Sequence, residues 1–147
     1  RIIVVEAVDN PSNIGAIVRC ATGLGWDGLI CDSTSADPLS RRALRVSMGS
    51  AFSLRFARTN DIAQTLSELR AQNFKLFALT PDEKATNISD VKLESSQKRA
   101  LIFGSERAGL STQAIANADA LVRIEMNPEV DSLNVAAAAA ISCYALR

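Results

Sequence analysis

The 147-residue chain contains no histidine, so any acid–base or nucleophilic chemistry must come from other groups. Arg19 lies in a small, apolar stretch, four residues from both Gly15 and Gly23. On a helix the three share one stripe. A glycine inside a helix costs up to about 1 kcal/mol, which implies a close neighbour at Gly15. Arg19 either aims at that neighbour or snorkels to water. Asn13 reads first as a helix cap. Glu106 lies between Gly104 and Gly109, where small residues let a backbone approach a ligand. It either orients a polar ligand or partner loop, or is a plain surface acid. Ser132 and Asn134 stand at the mouth of Val135 and five consecutive alanines. Both types cap free N–H groups at a helix start, and such a start attracts an anion. The bland alternative is an ordinary cap on a buried helix.

Other chemistries are excluded or weakened. Without histidine there is no Ser-His-Asp or Cys-His catalysis and no His-ligated metal. Cys20, Cys31 and Cys143 have no C-x-x-C spacing, so no metal site is expected, and the thiols fit a reducing cytoplasm as small core residues. The run 23–28 satisfies G-x-G-x-x-G literally, but it closes a helix and opens a strand, the reverse of a dinucleotide fingerprint. The glycines at 104 and 109 are followed by Leu110-Ser111, not the Lys-Ser/Thr of a phosphate loop. Net charge is zero, yet 12 of the 16 basic residues are arginine, and Arg41, Arg42, Arg45, Arg55 and Arg58 fall in an acid-free stretch, 38–60. Arginine favours bidentate phosphate contacts. The stretch is therefore either a patch for nucleic acid or a solvated helix face with a strand end.

The elements that must position these residues follow from pattern. Buried-type strands are expected at 2–6, 28–31, 52–56, 75–80, 100–103 and 121–124. Helices are expected at 14–24, 38–48, 61–71, 112–118 and 134–146, with 86–98 polar and irregular. No apolar run reaches the roughly 18–20 residues that span a bilayer. One α/β domain over 1–147 follows, a mostly parallel sheet with helices on both faces. Ligands in such sheets lie beyond the carboxyl ends of the strands, which singles out the loops after residues 6, 80, 103 and 124.

Three blocks of the chain, taken together, resemble the SpoU (TrmH-type) family of SPOUT RNA 2′-O-ribose methyltransferases. The first is Asn13-Ile14-Gly15-Ala16-Ile17-Val18-Arg19, similar to the family's N-x-G-A-x-x-R. The second runs from Leu101 through Gly104-Ser105-Glu106-Arg107-Ala108-Gly109 to Ser111. The third runs from Ile124 and Met126 to Ser132-Leu133-Asn134-Val135. The blocks stand in family order and span essentially the whole chain. The resemblance implies a catalytic Arg19, with Asn13 beside it at the acceptor site and Glu106, Ser132 and Asn134 as the other motif polar residues. It places S-adenosyl-L-methionine against Gly104, Ile124 and Leu133, with Thr80, Met126 and Gly109 nearby. It implies a cytoplasmic homodimer with a deep C-terminal trefoil knot, in which first-block residues work beside the other subunit's cofactor. The expected substrate is structured RNA, tRNA or rRNA, met by Arg41, Arg42 and Arg45. The chain opens at Arg1 without an initiator Met, which leaves room for an N-terminal RNA-binding domain.

Two positions depart from the family pattern. Glu125 stands where proline is usual and Pro128 where glycine is, which sets the path of residues 127–131 apart; cofactor binding is expected to survive. Arginine rarely gives up its proton, so Arg19 is expected to stabilise a developing alkoxide or a neighbouring phosphate, leaving a phosphate or water to accept the proton. The alternative is a non-catalytic RNA-binding regulator on the same fold.

Overall fold

The computed structural model describes residues 1–127 and 129–147. Seven strands form one sheet: β1 (Ile2–Val5), β2 (Gly28–Asp32), β3 (Arg55–Thr59), β4 (Lys75–Leu79), β5 (Thr86–Asn87), β6 (Arg99–Phe103) and β7 (Ala120–Arg123). Their spatial order is β3-β2-β1-β6-β4-β7-β5, and every pairing is parallel. Among the described residues four helices connect strands, α1 (Pro11–Gly23), α2 (Arg41–Val46), α3 (Ile62–Ala71) and α4 (Thr112–Asn117), and a fifth, α5 (Val135–Ala145), follows β7. The chain winds outward from β1 to β3, then crosses back to build β4 to β7 on the other side.

Alternation along the strands divides the core into two layers. Ile3, Val5, Phe77, Leu101 and Phe103 face α1 and α5. Val4, Leu76, Ala78, Ala100 and Ile102 face α3 and α4. Helices therefore cover both faces, as the pattern requires. The turn after α1 is pinned to the chain's last helix: buried Trp26 donates from its indole Nε1 to the Cys143 carbonyl at 3.1 Å. Burial pushes the Cys31 and Cys143 thiols up to about 12, which suits their place in the core.

Three local expectations are corrected. The first helix begins at Pro11, not residue 14, because Asn10 is the cap and accepts from the Ser12 amide. Proline at the first helical position has no N–H to leave unsatisfied. The strand expected at 52–56 begins only at Arg55: Gly49, at φ +77°, leads into a 3-10 turn, Ser50–Ser53. Phe52 points outward from that turn, 77% exposed. The irregular stretch 86–98 contains the short strand β5 and a 3-10 turn, Ile88–Asp90.

Gly15 explains how α2 sits on α1. A Cβ there would lie 2.6 Å from the Ala43 carbonyl oxygen and 2.9 Å from the Val46 side chain, so only glycine admits the crossing. The close neighbour expected at Gly15 is thus α2. Arg42 adds a bond across the same junction, donating from Nε to Ser12 Oγ at 2.6 Å.

Candidate active site: a cleft at the carboxyl ends of the strands

The loops that follow β4, β6 and β7, with the start of α5, enclose a cavity of about 400 Å³. That volume is in the range of small-molecule sites. Leu79, Phe103, Ile124, Leu133 and Val135 give it apolar walls. The backbone of residues 104–109 forms one side. This loop folds back on itself: the Gly109 amide donates to the Ser105 carbonyl at 2.9 Å, and Gly109 takes φ +68°. A Cβ on Gly104 would stand 2.2 Å from the Gly109 carbonyl carbon, so the hairpin-like closure requires glycine at both ends. Its exit is braced by Glu6 at the end of β1, whose Oε2 accepts from the Ser111 amide at 2.8 Å. Thr80 holds the start of the loop after β4 against β7, its amide donating to the Val122 carbonyl at 3.0 Å.

Residues far apart in sequence converge at the mouth of this cavity. Asn13, only 8% exposed, donates from Nδ2 to Glu106 Oε1, 93 residues away. Its Oδ1 accepts from Asn134 Nδ2 at 3.1 Å, across 121 residues. Asn134 in turn caps α5, its Oδ1 accepting from the Ala136 amide at 2.9 Å. A buried carboxamide is costly unless both its ends are matched, and here both are. One polar relay therefore joins α1, the 104–109 loop and the N-terminus of α5.

All six residues expected to hold a cofactor, Thr80, Gly104, Gly109, Ile124, Met126 and Leu133, line the cavity, and Glu106 and Ser132 line it too. Asn13 is not a helix cap; it sits within α1 as the centre of the relay. Arg19 is not brought to this cavity. It is exposed on α1, six residues past Asn13, which on a helix is about 240° around the axis. Arg41, Arg42 and Arg45 are exposed on α2, with Arg42 engaged on Ser12 as described. Arg58 is held by the fold, donating to the Asp32 and Ser35 carbonyls at 3.1 and 3.0 Å. Glu125 finds a partner in Asn87, whose Nδ2 donates to it at 2.8 Å; Pro128 lies outside the described residues.

Sequence pattern missed two braces, Glu6 and Asp32. Asp32 ends β2 and accepts from the Ala7 amide at 3.0 Å, the Ser35 amide at 2.9 Å and the Ser35 hydroxyl at 2.5 Å. Ser35 Oγ also accepts from the Val8 amide at 3.0 Å. Together they fix the loop between β1 and α1, where Ala7 has φ +54°. Burial pushes the Asp32 carboxyl up, but bonds from Ser35, Thr34 and Ala7 outweigh it and leave the group below the usual aspartate range. An aspartate at a strand end followed by Ser-Thr-Ser is a local signal that could have found it.

A wholly parallel sheet with a cleft of loop backbone beyond its strand ends defines an α/β domain whose ligand site lies at the carboxyl ends of the strands. Residues 1–144 match the SpoU rRNA Methylase family, and the chain belongs to that family. It is 41% identical over 144 residues to an uncharacterized tRNA/rRNA methyltransferase of Mycobacterium tuberculosis, covering 97% of this chain and 50% of that protein. It is 30% identical over 147 residues to the 23S rRNA 2′-O-methyltransferase RlmP of Bacillus subtilis, covering 100% of this chain and 58% of that one. The fold matches the SpoU methyltransferase AviRb of Streptomyces viridochromogenes, solved in complex with AdoMet, at a TM-score of 0.87 and 30% identity, over 99% of this chain and 58% of that one. The chain spans 50–58% of the length of these three proteins.

Proposed function

We propose that this chain is the catalytic domain of an S-adenosyl-L-methionine-dependent methyltransferase that modifies a ribose 2′-hydroxyl in tRNA or rRNA, in the cytoplasm and as a homodimer carrying the family's C-terminal knot. The observation that carries the reading is the Glu106–Asn13–Asn134 relay at the mouth of the cavity. It joins the three sequence blocks that the family shares.

The cavity suits the cofactor in size and in kind. Leu79, Ile124 and Leu133 offer apolar surface to a flat base, and the backbone of residues 104–109 offers polar groups. When bound, S-adenosyl-L-methionine supplies an electrophilic methyl group on a sulfonium for in-line displacement by a hydroxyl oxygen. The protein's part is to hold that oxygen in line, worth up to roughly 7–11 kcal/mol in well-oriented systems. The relay fixes the loop of Glu106 against the start of α5, so the acceptor side of the cleft is set before RNA arrives. Arg19 faces away from the cavity of its own chain. In a homodimer it would serve the partner's acceptor, stabilising the developing alkoxide or the adjacent phosphate. An exposed apolar stripe on α5, Ala137, Ile141 and Tyr144, spaced by four and three, supports such pairing; Tyr144 is 60% exposed. Arg41, Arg42 and Arg45 are placed to meet RNA phosphates.

Calorimetric titration of S-adenosyl-L-methionine into the full-length protein tests the reading. One site per chain is expected, with Leu133→Arg weakening binding at least about 100-fold while leaving the melting temperature within a few degrees, since Leu133 is a loop residue at the cavity wall. No binding to folded wild-type dimer would overturn the catalytic reading. Arg19→Lys is expected to leave cofactor affinity unchanged and to lower methyl transfer to RNA, because a lysine lacks the planar fork.

A further inference from the structure

Two large apolar side chains stand further into solvent than any other among the described residues: Phe52, 77% exposed, and Met48, 74%. They follow α2 directly and are held outward by a closed turn. Met48 takes φ +54° and Gly49 φ +77°, the left-handed region that a residue such as methionine rarely enters. Backbone bonds fix the turn. The Gly49 amide donates to the Leu44 carbonyl at 3.0 Å, and the Phe52 amide donates to the Gly49 carbonyl at 3.1 Å. Ala51 and Leu54, buried on either side of Phe52, seat the turn in the core. The outward direction of the Phe52 ring is therefore built into the backbone.

The charge beside this ring has one sign. Arg41, Arg42 and Arg45 of α2 are all exposed, and residues 38–60 contain no acid. Among the described residues no carboxylate lies within ion-pair distance of these three guanidinium groups. Arg42 donates to Ser12 Oγ, and Ser12 precedes Asn13 of the relay, so α2 begins beside the mouth of the cleft. From there its six residues lead toward Met48 over about 9 Å, the rise of roughly two to three stacked nucleotides. Arginines that end in an exposed ring match one kind of partner. Phosphates meet the guanidinium forks, and an unpaired base lays its flat face on the ring. A duplex offers the same phosphates but keeps its bases stacked inside, so the ring singles out an unpaired strand. We propose that α2 and the turn after it form a platform for single-stranded RNA. Arg41, Arg42 and Arg45 take the phosphates of nucleotides flanking the acceptor, and Phe52, with Met48 beside it in the turn, stacks one base. This deepens the methyltransferase reading and rests on it for the identity of the strand: the acceptor ribose lies in an unpaired loop or bulge.

The probe is a short fluorescent oligouridylate, titrated into the full-length protein and followed by anisotropy without cofactor, with a blunt RNA duplex as comparison. Wild type is expected to bind the single strand saturably. Phe52→Ala should weaken that binding about tenfold, and Phe52→Tyr, which keeps the ring, should restore it. Duplex binding should be the same for all three proteins. Arg45→Gln should weaken both probes and lower the salt slope by about one phosphate contact. Unchanged affinity of Phe52→Ala for the single strand, or an equal loss on strand and duplex, would overturn the platform. So would altered sedimentation of Phe52→Ala with RNA affinity unchanged, which would make the turn a contact between copies of the chain. Cofactor titration separates the two readings. Wild type that binds S-adenosyl-L-methionine but shows no effect of Phe52 on RNA sinks the platform alone; an effect of Phe52 without cofactor binding upholds the platform and sinks the methyltransferase.

Discussion

At the carboxyl ends of β4, β6 and β7 the chain builds a cavity from loop backbone and apolar side chains, with Glu106 as the one acid in its lining. At the amino end of β6 it places an arginine instead, Arg99. The first site is made by shape: glycines admit the loop closure, and a satisfied amide relay holds the parts. At the second, Arg99 is buried in the sheet with its Nε unpartnered among the described residues. A shaped site should fail when its geometry is disturbed, whereas removing a buried charge that lacks a partner should raise stability. The two ends of one sheet can therefore be told apart by the sign of a mutational effect.

Gly104→Ala is expected to give the largest loss. The added Cβ falls 2.2 Å from the backbone of Gly109, which cannot swing aside as a side chain could. A cost of about 3 kcal/mol should appear in denaturant melts, together with loss of cofactor binding. Asn13→Ala comes next, at about 2 kcal/mol, because it deprives Glu106 and Asn134 of their shared partner; cofactor titration should weaken in parallel. Arg99→Met runs the other way. Replacing an unpaired buried charge by an apolar chain of similar size is worth roughly 1 kcal/mol or more of stability, so thermal melts should shift upward. A downward shift would show that the two ends are built alike.

Asp32 gives the smallest effect and the one that depends on pH. Its carboxyl lies below the usual aspartate range when folded, so its contribution is present in full above the unfolded value of about 3.9. It is lost as pH falls through the lower folded value. Wild type should thus outlast Asp32→Asn at neutral pH, and the gap in melting temperature should close in acid below about pH 4. Circular dichroism of both proteins across pH 2–7 checks this.

Much of the fold was legible because it is local. Four-residue apolar runs such as 100–103 and 76–79 carry their strand character in composition, and α3 announces itself through Asp61 and the spacing of Ile62, Leu66 and Leu69. The misplacements arose where one local cue masked another. Asn13 drew the helix start away from Asn10-Pro11, and Phe52 was counted into a strand although it lies on a turn ahead of it. The place of the cleft was legible in the strand pattern, which singles out the loops after residues 80, 103 and 124; only the family resemblance tied Asn13, Glu106 and Asn134 together. Nothing in the periodicity around Asn13 points to residues 93 and 121 positions later, since long-range contacts leave no local trace. The burial of Arg99 was missed for a related reason. Arg99 borders a polar stretch and reads as lying just outside the strand expected at 100–103; the pairing of Arg99 with Lys75 moves it into the sheet and buries it.

Trp26 is the chain's single tryptophan, and its indole is bonded to the carbonyl of Cys143. The chain therefore carries one indole fluorophore, selectively excited apart from Tyr144, whose environment includes a contact spanning 117 residues. Emission should report the seating of α5 and little else. Contacts of such sequence separation form late, because loop closure must precede them. In refolding, the blue shift of this one residue should trail the recovery of helical ellipticity, and the interval between the two signals times the final placement of the helix that Asn134 caps.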